Sequence, residues 1–161
     1  MTAMLRERFA RAKAAYTTHL VRPESMSTLL VAPELRPHAG DLVLARVERI
    51  GQHKCLEGPD GRKAALFCGD EIVVVYGNRY APDQFEAEVP SDLSACELVA
   101  AGGLAARMLS SHVKMKAATA LQPLGLVADR DGRRLNLADW RLPAPAPAGA
   151  RPPTIAVVGR P

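Results

Sequence analysis

Two short stretches carry side chains whose types and spacing could do chemistry. The first is His53, Cys55 and Cys68. Imidazole and thiolate are the ligands zinc prefers, and a structural zinc site needs four of them. If Asp60-Gly61 forms a two-residue hairpin loop, Cys55 faces Leu66 and His53 faces Cys68, and all three point to one side. Glu57 lies on the same face as the nearest fourth donor. The competing reading makes the cysteines small buried apolar residues. The second stretch is Tyr76-Gly77-Asn78-Arg79-Tyr80, at the end of an apolar run. Its tyrosines can stack on a base, and Arg79 and Asn78 can pair with a phosphate or carboxylate. Equally, Gly77-Asn78 can close a turn whose tyrosines cover the end of a barrel.

Elsewhere no acid–base or nucleophile set converges. Ser110-Ser111-His112 are sequence neighbours, a spacing that does not aim a nucleophile at a base. Asp129 and Asp131 flank Arg130 in a turn and are expected to be solvated. Ala100-Ala101-Gly102-Gly103 could present backbone N–H groups to an anion, or simply allow a sharp strand–helix joint. The expectation is a chain without catalytic activity of its own.

The 161 residues suffice for a real core, and a formal charge of +4 permits an anionic partner without requiring one. No apolar stretch approaches membrane-spanning length, so no membrane partner is expected. The arginines spread through the N-terminus do not make a secretory signal. Three cysteines without C-x-x-C spacing suit a reducing compartment, which points to the cytoplasm.

The elements that must position these residues follow from periodicity. Leu5, Phe9, Ala12, Tyr16 and Leu20 fall on one face and predict an amphipathic helix over 2–20, within an N-terminal segment 1–22. Arg6, Arg8, Arg11 and Lys13 lie off that stripe, as a basic arm or as a solvated face. Strands are expected at 27–31, at 42–50 and at 71–76, the last buried on both faces. A second hairpin at Asp131-Gly132 would set Leu126 opposite Leu137 and Ala128 opposite Leu135. Both hairpins read Asp-Gly-Arg followed by a second basic residue. Between them, Leu104, Met108 and Leu109 predict a helix over 104–115. Residues 143–153 form a Pro/Ala-rich tether.

After that tether comes Thr154-Ile155-Ala156-Val157-Val158-Gly159-Arg160-Pro161. A buried strand feeding a glycine turn is how a phosphate-binding loop begins. This run resembles the opening of the first nucleotide motif of Era- and Der-type GTPases. The resemblance implies that Gly159 is the first glycine of an incomplete phosphate loop. It further implies that the lysine and Mg²⁺-binding hydroxyl would follow, with ATP or GTP bound only in that continuation. Gly40-Asp41 followed by an apolar strand also resembles the first strand of S1-type oligonucleotide-binding folds.

The expected fold is therefore mainly β with two helices (α+β): a small partly open barrel, OB- or SH3-like, over 26–142. A linker at 143–153 would lead to the first strand of a P-loop domain at 154–161. The expected function is a non-catalytic accessory domain of a P-loop NTPase, partnered by that NTPase domain. The alternative is a stand-alone nucleic-acid-binding module using Tyr76, Asn78, Arg79 and Tyr80. A small anionic ligand would suit the same loop.

Overall fold

The structure, a computed structural model, describes residues 2–143 and 155–157. In chain order it contains helix α1 (Thr2–Arg11), then β1 (Lys13–Ala14), β2 (Thr28–Leu30), β3 (Leu42–Arg49), β4 (Cys55–Glu57) and β5 (Lys63–Ala65). There follow β6 (Glu71–Tyr76), β7 (Arg79–Tyr80), β8 (Phe85–Glu88), β9 (Cys96–Ala100), β10 (Leu104–Ser111) and β11 (Thr119–Ala128), with a last 3₁₀ turn at Leu137–Trp140. The chain is mainly β, with one α-helix among the described residues. Among the described residues no helix is long and apolar enough to cross a membrane.

One large sheet organises the chain. β6, β3, β11, β9 and β10 neighbour one another in that order, and a parallel pairing of β10 with β6 closes them into a ring. Apolar alternation explains the inside. Val43, Ala45 and Val47 of β3, Ile72, Val74 and Tyr76 of β6, and Cys96 and Leu98 of β9 are buried together there. On β11 the inward set runs through Leu121 to Leu126, an odd step made possible by a bulge between Pro123 and Gly125. That bulge also accommodates a proline within a paired strand.

β3 and β6 are buried on their outer face as well, as their near-continuous apolar runs predict. Leu42, Leu44, Val73 and Val75 pack there under Phe9 of α1, with Val21, Met26 and Leu135. A third cluster, Phe85, Ala87, Val99, Ala106 and Ala118, lies where β8 covers the ring near β9 and β10.

Three expectations are corrected. The first helix ends at Arg11 rather than near residue 20. Lys13 and Ala14 pair with Ile72 and Val73 instead, and Lys13 Nζ reaches Asp70 Oδ2 at 2.5 Å. Leu5, Phe9 and Ala12 still face the core, but Tyr16 and Leu20 are exposed.

The second helix does not form. Leu104–Ser111 is strand β10, paired with β9, β6 and β8, and these pairings outweigh the helix preference of its Ala, Leu and Met residues. The Ala100–Gly103 segment accordingly joins two strands.

The hairpin registers are shifted by one. Cys55 pairs with Ala65, not Leu66, and Ala128 bridges Arg134, not Leu135. In each turn an N–H donates across a three-residue loop, Gly58 to Arg62 O at 2.7 Å and Asp129 to Arg133 O at 2.9 Å. Gly61 and Gly132 take the single left-handed position, at φ 78° and 79°. Asp-Gly serves this three-residue bulged turn as readily as the two-residue one.

The ends of β3, β6 and the 134–136 segment are tied at Asp41, whose side chain is fully buried. Its Oδ2 accepts from Arg134 Nη1 at 2.9 Å and from the His38 N–H at 2.7 Å, and its Oδ1 accepts from Asn136 Nδ2 at 2.8 Å. Asp41→Asn should cost about 3–5 kcal/mol, because it leaves the Arg134 charge without its counter-ion. An unchanged urea midpoint would refute that assignment.

On the helix side, Arg8 Nε and Nη2 donate to the two carboxylate oxygens of Glu71 at 2.7 and 2.5 Å. These bonds hold the Glu71 carboxyl below its ordinary value of 4.5, against a smaller opposing effect of burial. The pair therefore stabilises the fold above about pH 4.5, and that contribution is lost as pH falls through the lower folded value. Arg8→Gln should flatten this acid limb in urea midpoints measured at stepped pH.

Candidate functional site

The Tyr76–Tyr80 stretch divides between core and surface. Tyr76 shares the inward parity of Ile72 and Val74, so its ring is fully buried beside Cys96. Burial drives both groups upward, the Tyr76 hydroxyl far above its usual value and the Cys96 thiol to about 12. Tyr76 therefore cannot meet a ligand. Asn78 Oδ1 accepts the Val89 N–H at 2.9 Å, a bond that closes the β7–β8 ribbon. Arg79 Nη2 donates to Gln84 Oε1 at 2.7 Å, while its Nε is buried without a partner. Tyr80, at 77% exposure, stands in solvent, as does Asn78 apart from that bond.

His53 and the cysteines do not form a metal centre of the expected kind. The shifted register removes the His53–Cys68 pairing, and no three His, Cys, Asp or Glu side chains among the described residues come together to hold an ion. Cys68 is exposed, Cys55 half-buried and Cys96 buried. The His53 ring instead sits edge-on to Phe85, centroids 6.0 Å apart, and its carbonyl accepts from Thr119 Oγ1 at 2.6 Å. Burial pushes its imidazole below the ordinary value, and the nearby Arg79 charge adds to this. A backbone hydrogen bond with Val99 opposes the shift. The His53 Nε2 is buried without a hydrogen-bond partner.

Ser110 and His112 lie at the end of a strand, where Ser110 Oγ donates to Glu86 Oε2 at 2.9 Å and the His112 N–H to Gln84 O at 2.8 Å. Asp129 is not simply solvated, since its Oδ1 accepts the N–H groups of Asp131 and Arg133 at 2.9 Å each. The proposed phosphate-loop Gly159 and residues 144–153 of the tether lie outside the described residues. Ile155 and Val157 are described, in no regular element, and are 86% and 93% exposed.

Periodicity did not point to an open groove of about 650 Å³ beside α1. Arg6 of the helix, Glu24, the 129–133 turn and the last 3₁₀ turn line it, with Trp140 as its aromatic wall. An apolar recess of about 260 Å³ continues it, over Phe9, Pro23 and Met26. Arg133 is tied to Asp139 at 3.3 Å across the groove wall. Arg6 and Glu24 make no ion pair among the described residues. Arginine, carboxylate and indole together suit a polar ligand with an aromatic or apolar part. These residues come from four separate parts of the chain, and the one cue in the sequence was its single tryptophan. Compared with protein-family models, curated proteins and solved structures, the chain matches none.

Thiol labelling checks this description of the interior. Cys68 should react first with an aromatic disulfide reagent and Cys55 more slowly. Cys96 should react only on unfolding. Equal rates for all three thiols would mean that the ring interior is open.

Proposed function

We propose that this chain is a non-catalytic accessory domain of a P-loop NTPase, which binds its ligand or partner segment in the groove beside α1. The observation that carries this reading is the exposure of Ile155 and Val157, 86% and 93%. Two exposed apolar side chains at alternate positions suit a strand whose sheet lies elsewhere, and burying them would gain about 1.5–3 kcal/mol per side chain. The five-stranded ring meanwhile is already closed by its own pairings. We read that ring as a small partly open barrel of the OB or SH3 kind, since five strands surround an alternating apolar interior and β10 meets β6 over two residue pairs alone.

The groove supports a coupling role. Trp140 is its wall, and Arg141 just after it leads into the Pro/Ala-rich stretch. A ligand that moves Trp140 therefore moves the root of the tether. ATP or GTP with Mg²⁺ would belong to the downstream unit. Reading the source frame past the codon for Pro161 tests the proposal. Gly-Lys-Ser or Gly-Lys-Thr within about five residues is the expected result. A stop codon directly after Pro161 would overturn it.

A further inference from the structure

Three loops meet near the Arg49 end of β3, about 23 Å along that strand from the Leu42 end where the groove and tether root attach. The Gln52 N–H donates to Ala117 O at 2.8 Å, and the Lys116 N–H to Gln52 Oε1 at 3.3 Å, so that the 50–54 and 112–118 loops lie side by side. The His112 N–H donates to Gln84 O at 2.8 Å, which brings the β7–β8 turn and Tyr80 alongside. Arg49, Lys54, Lys114 and Lys116 are all exposed here. Among the described residues none of these four makes an ion pair, whereas Arg8, Lys13 and Arg46 are committed to Glu71, Asp70 and Glu48. Carboxylates lie nearby as well, with Glu48 paired to Arg46 and Glu86 opposite Tyr80 across the ribbon. Asp83 is exposed on the turn, and Glu86 accepts from Ser110 Oγ.

We propose that this surface binds single-stranded nucleic acid, with phosphates on Arg49, Lys54, Lys114 and Lys116 and a base stacked on Tyr80. Exposed cations without partners hold counterions that a phosphodiester chain displaces, which favours a polyanion over a single small anion. Tyr80 stands in solvent on the ribbon whose turn His112 reaches, and an exposed tyrosine ring is the stacking platform that unpaired bases use whatever their sequence. A lipid surface would need a broader apolar face than the 112–118 loop presents, where Val113 is the strongly exposed apolar side chain. The proposal goes beyond the tethered-domain reading and does not depend on it.

The test is fluorescence anisotropy with fluorescein-labelled oligouridylate and oligothymidylate of about 15 nucleotides, each titrated at about 50 and about 200 mM salt. The intact chain should bind and weaken with salt at a log–log slope of about −2 to −3, as three or four phosphate contacts require. Lys114→Ala with Lys116→Ala should weaken binding about 10-fold and flatten the slope by about 1.4. Tyr80→Ala should weaken it about 5-fold or more at an unchanged slope. Arg62→Ala with Lys63→Ala, on the β4–β5 hairpin, removes the same charge elsewhere and should leave binding unchanged. Thermal melts of each variant establish that it is folded. Three outcomes overturn the proposal. One is no binding of either oligonucleotide at low salt, and another is an equal loss in the Arg62/Lys63 pair. The third is binding to phosphatidylserine vesicles without binding to oligonucleotides, which would assign the surface to lipid.

Discussion

A fully desolvated carboxylate sets the frame of this molecule. Asp41 lies where β3 begins, and its backbone carbonyl accepts the N–H of Tyr76 at the end of β6, 2.9 Å away. Its side chain meanwhile holds Arg134, Asn136 and the His38 N–H. A buried charge is tolerated only when its partners replace the water it has lost, and here both oxygens are occupied. The same residue thereby fixes the β3–β6 register, from Leu42 opposite Val75 to Arg46 opposite Glu71. A slip of one residue would turn Tyr76 outward and Val75 inward. The ring interior and the docking face for α1 both depend on that parity.

The strands that could be read from the sequence are those whose burial follows from their own residues. Leu42–Arg49 begins as a continuous apolar run and then alternates, and it is buried on both faces at its start and on one at its end. Glu71–Tyr76 shows the same logic. Leu104–Ser111 could not be read this way, because its Leu, Ala and Met pattern is compatible with a helix and only partners distant in sequence make it a strand. Helix α1 was legible in kind but not in length. Lys13 and Ala14 would have continued its period had β6 not offered them an edge. Asp-Gly announced both turns but left the loop length open by one residue, enough to dissolve the expected face of His53, Cys55 and Cys68.

The candidate surfaces were legible in part for related reasons. Tyr80 was found from residue type alone, but whether Tyr76 joined it depended on strand parity. The groove is assembled from the helix, the 24–27 segment, a hairpin turn and Trp140, and the basic surface from positions 49, 54, 114 and 116. Neither has a sequence signature, since hydrogen bonds between loops create the neighbourhood. What results is a ring with two unlike ends: a mixed-charge, aromatic-walled groove near Leu42, and a cationic loop surface at the other end of β3.

The central claim is that the ring is complete in itself and that the run containing Ile155 and Val157 belongs to something else. Urea unfolding of the whole chain against a version ending at Leu142 tests it most directly. Equal midpoints and equal denaturant slopes are expected, because the slope follows the surface exposed on unfolding. A lower midpoint in the shortened chain would contradict the account. It would make 155–157 part of this fold and remove the ground for a tethered second unit.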